Sequence, residues 1–247
     1  MPVQTNRHAC GLEWPPLIRG RLIKRYKRFL ADVVLDDGQT VTAHCPNSGR
    51  MTECCQPDQP VYLSRHDNPK RKLAYTWELI QMSASLVGVN TLVPNRLVAK
   101  ALQNGCIPAL NDYGEITREV RINSRSRLDL MLSANGLPDC FVEIKNCTLV
   151  HSGCAMFPDA PTARGRKHLQ ELAVLKKEGK RAVIFFLIQR CDAHFFAPAD
   201  AVDPDYGRLL RQVVGDGVEI MAWDVLIDLK RIALGQLLPC RLEQHRV

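Results

Sequence analysis

The sequence predicts a two-domain protein of mixed structure, α/β in content and α+β in arrangement: a small antiparallel barrel or sandwich followed by a mixed sheet with flanking helices. Three observations predict it. Asp36-Asp37-Gly38 lies between two alternating apolar runs, and Asp-Gly in that setting is a strong hairpin signal. The segments joining the other extended candidates of the first third lack the length and period of a crossover helix. After Asn90 the pattern changes to strands and helices in alternation.

In the first domain, Arg21–Tyr26, Phe29–Leu35, Thr40–His44, Val61–Arg65 and Leu73–Ile80 read as strands. The boundary is expected near residue 85, giving domains 1–85 and 86–247. Pro94-Asn95 then precedes Arg96–Gln103, whose apolar residues recur at helical spacing until Gly105. Strands follow over Glu115–Ile122, Arg127–Leu132 and Cys140–Lys145, with Asn135-Gly136 as the turn between the last two. A helix over Thr162–Glu178 ends at Gly179, a residue that tolerates the positive φ of a C-cap. Strand Ala182–Ile188, helix Pro204–Val214, strand Val218–Trp223 and a closing helix over Val225–Leu234 complete the expectation.

Composition narrows the function classes. Of 247 residues, 46% are hydrophobic and 24% charged, enough apolar surface to offset chain entropy. The longest apolar runs fall well short of the ~20 residues that span a bilayer, and Met1 to Gly20 has no secretory apolar segment, so a cytoplasmic protein without membrane partners is expected. The ten cysteines are expected to be thiols, because none forms a C-x-x-C pair and the chain is long for a disulfide scaffold. Thirty-three basic against 26 acidic residues leave a net charge of +7, which favours polyanionic partners.

The chemistry concentrates in Ser126–Asn146. A hairpin folded about Asn135-Gly136 puts Asp129 opposite Glu143, and the period of two puts Glu143 and Lys145 on one strand face and Leu128, Leu130 and Leu132 together on another. Two carboxylates and an amine then converge. Oxygen donors of that kind suit Mg²⁺ or Mn²⁺ as cofactor, and Lys145 beside them is placed to handle a water or a developing charge at phosphorus. An E-x-K on an amphipathic strand is also the ordinary pattern of a solvated face. Glu119, on the preceding strand, is a further candidate metal ligand. Arg127, Arg164, Lys167 and His168 are candidate phosphate contacts, the last three at the start of a helix, where anions are favoured. In the first domain Arg19, Arg21, Lys24, Arg25, Lys27 and Arg28 crowd around Tyr26 and Phe29, a pattern suited to phosphate tracking and base stacking. His44-Cys45 in the turn His44–Gly49 has the residue types of a nucleophile and base, but adjacent positions rarely aim both groups at one atom.

Blocks spread along the chain, among them GRLIKRYKRFLADV (Gly20–Val33), TAHCPNSGRM (Thr42–Met51), RKLAYTWELI (Arg71–Ile80), GVNTLVPN (Gly88–Asn95), SRLDL (Ser126–Leu130), VEIKN (Val142–Asn146) and FPDAPTARGRKHLQEL (Phe157–Leu172), resemble the bacterial sugar fermentation stimulation protein A family. The resemblance implies an N-terminal OB-fold barrel and a PD-(D/E)xK restriction-endonuclease-like domain, DNA binding, and a part in regulating sugar (maltose) metabolism. It also implies Asp129 and Glu143 as metal ligands and Lys145 as the catalytic lysine. Leu128 stands where the motif's name has Pro.

The expected function is DNA binding with little sequence preference, since no helix-turn-helix signature is present, together with a metal-dependent nuclease-like domain. The competing expectation is a non-enzymatic DNA-binding regulator with a vestigial nuclease core, and RNA phosphates would satisfy the same residues. The sequence sets no oligomeric state; a homodimer is compatible with it.

Overall fold

The computed structural model describes residues 10–124 and 126–243, so what the sequence suggests for the first nine residues lies outside it. The chain opens with a short strand, β1 (Gly11–Glu13), and then lays down β2 (Leu17–Tyr26), β3 (Leu30–Leu35), β4 (Thr40–His44), β5 (Pro60–Arg65), β6 (Tyr75–Gln81) and β7 (Leu86–Gly88). The last six form one sheet in the order β4-β3-β2-β5-β6-β7. A parallel pairing of β4 with β6, Ala43 beside Tyr75 and His44 beside Thr76, closes five strands into an OB-like barrel. Strict alternation drives this: Ala31, Val33 and Leu35 of β3 point inward, onto Leu22, Val61, Leu63 and Trp77. The Asp-Gly turn joins β3 to β4 with Gly38 at φ +87°.

The second domain comprises α1 (Val93–Gln103), β8 (Glu115–Asn123), β9 (Ser126–Ser133), β10 (Cys140–Cys147), β11 (Leu149–His151), β12 (Cys154–Phe157), α2 (Ala163–Lys177), β13 (Arg181–Ile188), β14 (Phe195–Pro198), α3 (Pro204–Gly215), β15 (Glu219–Ile227) and β16 (Arg231–Leu238). Its main sheet runs β1-β16-β15-β13-β10-β9-β8, with β10, β13 and β15 mutually parallel at the centre. Helices cover both faces, so β13 is apolar on both. Val183, Phe185 and Leu187 join the core under α1, while Ile184, Phe186 and Ile188 join the core under α2 and α3. A small sheet, β11-β12-β14, flanks the main one. Caps fix the two long helices: Thr162 Oγ1 accepts from Gly165 N–H at the start of α2, and Asp203 accepts from Tyr206 N–H at the start of α3.

Several expectations change. The closing helix over Val225–Leu234 is instead a hairpin of β15 and β16, because Asp228 Oδ1 accepts from Lys230 and Arg231 N–H and turns the chain. The apolar residues on either side fit a period of two once that turn is made. The expectation of ten thiols fails at one pair: Cys10 and Cys106, 96 residues apart, form a disulfide. Sequence spacing carries no trace of so distant a partner. Helix α1 starts three residues before Arg96, since Pro94 suits the first turn of a helix. Pairing places β7, just past residue 85, in the barrel sheet and sends β1 to the edge of the second sheet.

The two domains meet through specific polar contacts. Gly88 N–H donates to Gln189 O at 2.8 Å, Met51 N–H donates to an Asp159 carboxylate oxygen at 3.0 Å, and Gln189 Nε2, which donates to Asn146 Oδ1 within the second domain at 2.7 Å, also donates to Asn90 O at 3.2 Å.

Within the barrel, Gly20 of β2 crosses β3 so closely that a Cβ there would lie 2.6 Å from both Val33 Cγ1 and the Val34 carbonyl oxygen. Gly20→Ala should therefore destabilise the protein by about 1–3 kcal/mol in urea unfolding, the usual range for overpacking. A variant as stable as the parent would contradict this approach.

Candidate functional site

The sheet builds the site where β9 and β10 begin to part. Their ladder pairs Cys140 with Leu132 and Val142 with Leu130. One step further, the Asp129 carboxylate itself accepts the Ile144 N–H at 2.8 Å, and its other oxygen accepts from Asn95 Nδ2 of α1 at 2.6 Å. Leu130 and Leu132 pack under α1 but Leu128 packs on the α2 side, so alternation breaks at Asp129. The facing residue of β8, Glu119, has φ +55°, which marks the same irregularity.

Glu143 and Lys145, two apart on β10, share a face as the period of two requires. Lys145 Nζ donates to Glu143 Oε1 at 2.6 Å. His168, from the first turns of α2, directs Nδ1 at the same oxygen, with Lys145 Nζ 3.3 Å away. Both nitrogens thus compete for Oε1, and Glu143 Oε2 is left buried with no hydrogen-bond partner among the described residues. Glu143 is 3% exposed and His168 5%.

The electrostatics follow from this crowding. Burial, and next the Glu143 charge, push the Asp129 carboxyl up to about 6, against its hydrogen bonds from Ile144 and Asn95. Burial also opposes charge on Glu143, but Lys145 and His168 outweigh it and hold that carboxyl below the ordinary range. Tyr206, fully buried nearby, has its hydroxyl raised well above the usual value by burial and by the Glu143 charge, and its oxygen has no partner among the described residues.

These residues suit a hard divalent cation. No group of three or more His, Cys, Asp or Glu side chains among the described residues is arranged as a metal cage. Mg²⁺-like ions need only one or two carboxylates, completing their shell with waters and phosphate oxygens. The orphaned Glu143 oxygen and a neighbouring carboxyl that resists ionisation are what such an ion would relieve. Asp129 and Glu143 could hold it.

The remaining candidates divide. Glu119 pairs with Arg127 at 3.2 Å on the exposed edge, and hydrogen-bonds to none of Asp129, Glu143 and Lys145. His168, expected as a phosphate contact, is instead a buried partner of Glu143; its position one turn into a capped helix turns it inward. Arg164 is exposed at the head of α2, and Lys167 pairs with Glu171 at 3.7 Å. On the barrel, Arg21 donates to the Asp58 carbonyl at 3.0 Å and Lys24 lies 3.8 Å from Asp32. Lys27 and Arg28 form the positive-φ tip of the β2–β3 hairpin. Arg25 is fully engaged with main-chain oxygens of Arg28, Asn47, Gly49 and Arg50. Cys45 is buried with its sulfur 3.7 Å from Met51 Sδ and its thiol raised chiefly by burial, so no nucleophile forms there. Sequence reasoning missed Asn95 as the brace of Asp129. An uncharged residue on a separate helix leaves no signal beyond its place in the GVNTLVPN block.

A family model for the sugar fermentation stimulation protein N-terminal OB domain matches residues 23–89, and one for the RE domain of the same protein matches residues 92–231. The chain belongs to the sugar fermentation stimulation protein (SfsA) family. An SfsA homologue from Geobacter sulfurreducens is 55% identical over 224 residues, covering 91% of this chain and 96% of the relative. One from Synechococcus elongatus is 51% identical, covering 84% and 88%. The solved structure of Pyrococcus furiosus SfsA in complex with Ca²⁺ superposes with a TM-score of 0.86 at 28% identity, covering 93% of this chain and 98% of that one. The SfsA fold is thus an OB-like barrel joined to a restriction-endonuclease-like mixed sheet, and no helix in the described residues is long and apolar enough to cross a membrane.

A carboxyl whose pKa is raised by folding, as for Asp129 at about 6, binds its proton more tightly in the native state than in the unfolded chain. Its contribution to stability is therefore present at low pH and lost as pH rises through that window. In chelator, Asp129→Asn should be more stable than the parent at pH 7 by about 1–3 kcal/mol, and the difference should shrink toward pH 4. Urea titrations at both pH values check this; a difference independent of pH would refute it.

Proposed function

We propose that this protein binds nucleic acid, DNA foremost, and that its second domain hydrolyses phosphodiester bonds with Mg²⁺ or Mn²⁺ held by Asp129 and Glu143. The observation that carries the reading is the Glu143 oxygen, buried without a partner beside a second carboxylate and an ammonium group. Support also comes from the Ca²⁺ complex of the Pyrococcus furiosus relative, because Ca²⁺ seeks the same oxygen ligands.

When bound, such an ion supplies positive charge against the phosphodiester and acidifies water. The chain's own groups do the rest. Asn95 and the Ile144 N–H fix the Asp129 carboxylate, while His168 fixes Glu143, so neither acid needs to reorganise. Lys145 Nζ, on the same strand face, stabilises negative charge gathering on the phosphoryl oxygens. The barrel, through Arg21, Lys24, Lys27 and Arg28, supplies sequence-independent attraction for the strand.

A second reading is a non-enzymatic DNA-binding regulator of sugar (maltose) metabolism. It is favoured by the 2.6 Å Lys145–Glu143 pair, which already balances one acidic charge.

Incubation with single-stranded, duplex and branched DNA and with RNA, in Mg²⁺ or Mn²⁺, separates the two. Cleavage should fall by roughly 10²–10⁴-fold in Lys145→Ala and Asp129→Ala; substrates bound but left intact by every form would favour the regulator. Independently of turnover, Mn²⁺ at about a hundred times its dissociation constant should stabilise the parent by about 2.7 kcal/mol. A melting temperature shifted equally in Asp129→Ala would remove the ion from this site.

A further inference from the structure

We infer that the cleft between the barrel and the second domain is a binding site for an unpaired nucleic-acid strand, with phosphates along the barrel wall and bases against the opposite wall. The inference deepens the proposed function and rests on it only for the purpose of binding.

The cleft has a volume of about 720 Å³, within the ~300–1,000 Å³ usual for ligand sites. Its walls differ chemically. The barrel contributes Arg25, Arg28 and Arg50 around the polar turn Asn47–Gly49, whereas the second domain contributes Met156, Phe157, Pro158 and Pro161 among the polar Asn146, Thr148, Asp159 and Thr162, with the Phe157 ring also packed on Phe186 and Tyr206. Arg25 is engaged by four main-chain oxygens and acts as a brace. That leaves the guanidinium groups of Arg28 and Arg50, which have no hydrogen-bond or ion-pair partner among the described residues. Planar forks held on a braced turn match phosphate oxygens.

The turn is seated by the second domain. Met51 N–H donates to Asp159, and a Cβ on Gly49 would lie 2.3 Å from an Asp159 carboxylate oxygen, so only glycine allows this approach. Asp159 is the one carboxylate among the cleft's described lining residues, and its contact with the turn places a negative charge beside Arg50.

A strand with its bases exposed satisfies both walls at once. A duplex hides its bases, leaving the apolar wall unmatched. Location relates the cleft to the acids through one strand: Asn146, which lines the cleft, follows Lys145 on β10 but points to the other strand face, and Asp129, Glu143 and Lys145 are not among the lining residues. This also gives a role to the turn motif Pro46–Arg50, which the proposed hydrolysis does not use.

Fluorescence anisotropy in chelator, where nothing is cut, tests the inference. The probe is labelled oligothymidylate, alone or annealed to oligodeoxyadenylate, with thymidine monophosphate as competitor. The parent should bind the unpaired strand about tenfold more tightly than the duplex, and the double variant Arg28→Ala/Arg50→Ala should lose about tenfold for the unpaired strand while its melting temperature is unchanged. Equal binding of duplex, unchanged affinity in the double variant, or displacement by the monophosphate at concentrations matching the polymer would each overturn it. A protein that cuts nothing but prefers the unpaired strand would keep this inference and lose the hydrolase. One that cuts but prefers the duplex would do the reverse.

Discussion

Glu143 sits on a central strand of the second sheet, where burial strips its carboxylate of solvent, and its charge persists because Lys145 and His168 both point at one of its oxygens. An isolated carboxylate in that position would take up a proton instead. The arrangement satisfies one oxygen twice and the other not at all. Asp129, a strand away, is itself buried, feels the same charge and becomes reluctant to ionise. Perturbed carboxyls of this kind occur in active sites and in structural ion-pair networks alike.

Two helices brace this group. Asn95 reaches Asp129 from α1, under one face of the sheet, and His168 reaches Glu143 from α2, on the other. Helices on both faces therefore each contribute one brace. The next residue of β10, Asn146, is tied through Gln189 to Asn90 and, by the Gln189 carbonyl, to Gly88. A chain of hydrogen bonds thus runs from the last barrel strand to the residue beside Lys145, which couples the placement of the barrel to the placement of the acids.

Much of this was readable from residue order, because it depends on local rules. The Asn135-Gly136 turn sets Leu130 against Val142, one step from Asp129 and Glu143, and the Asp-Gly turn sets the β3–β4 hairpin. What escaped depends on distance. His168 reads as a surface cation until α2 is docked on the sheet, and Asn95 has no charge to draw attention. Arg25 looks like a phosphate contact among its basic neighbours, yet folding turns it onto four carbonyls. The Val225–Leu234 segment has apolar spacing that suits helix and hairpin alike, and a single Asp228 side chain decides between them. The Cys10–Cys106 bridge joins parts of the chain that no spacing rule connects.

The strand Gly11–Glu13 pairs with Arg231–Ala233 at the far end of the sequence, so the barrel is an insertion within the second domain's path. During synthesis, β1 leaves the ribosome before the whole barrel and its partner β16 only after it. The early strand must wait, without its partner, until Arg231–Ala233 has emerged. The barrel can close in the meantime, whereas the sheet that carries the acids is completed only when β1 and β16 find each other.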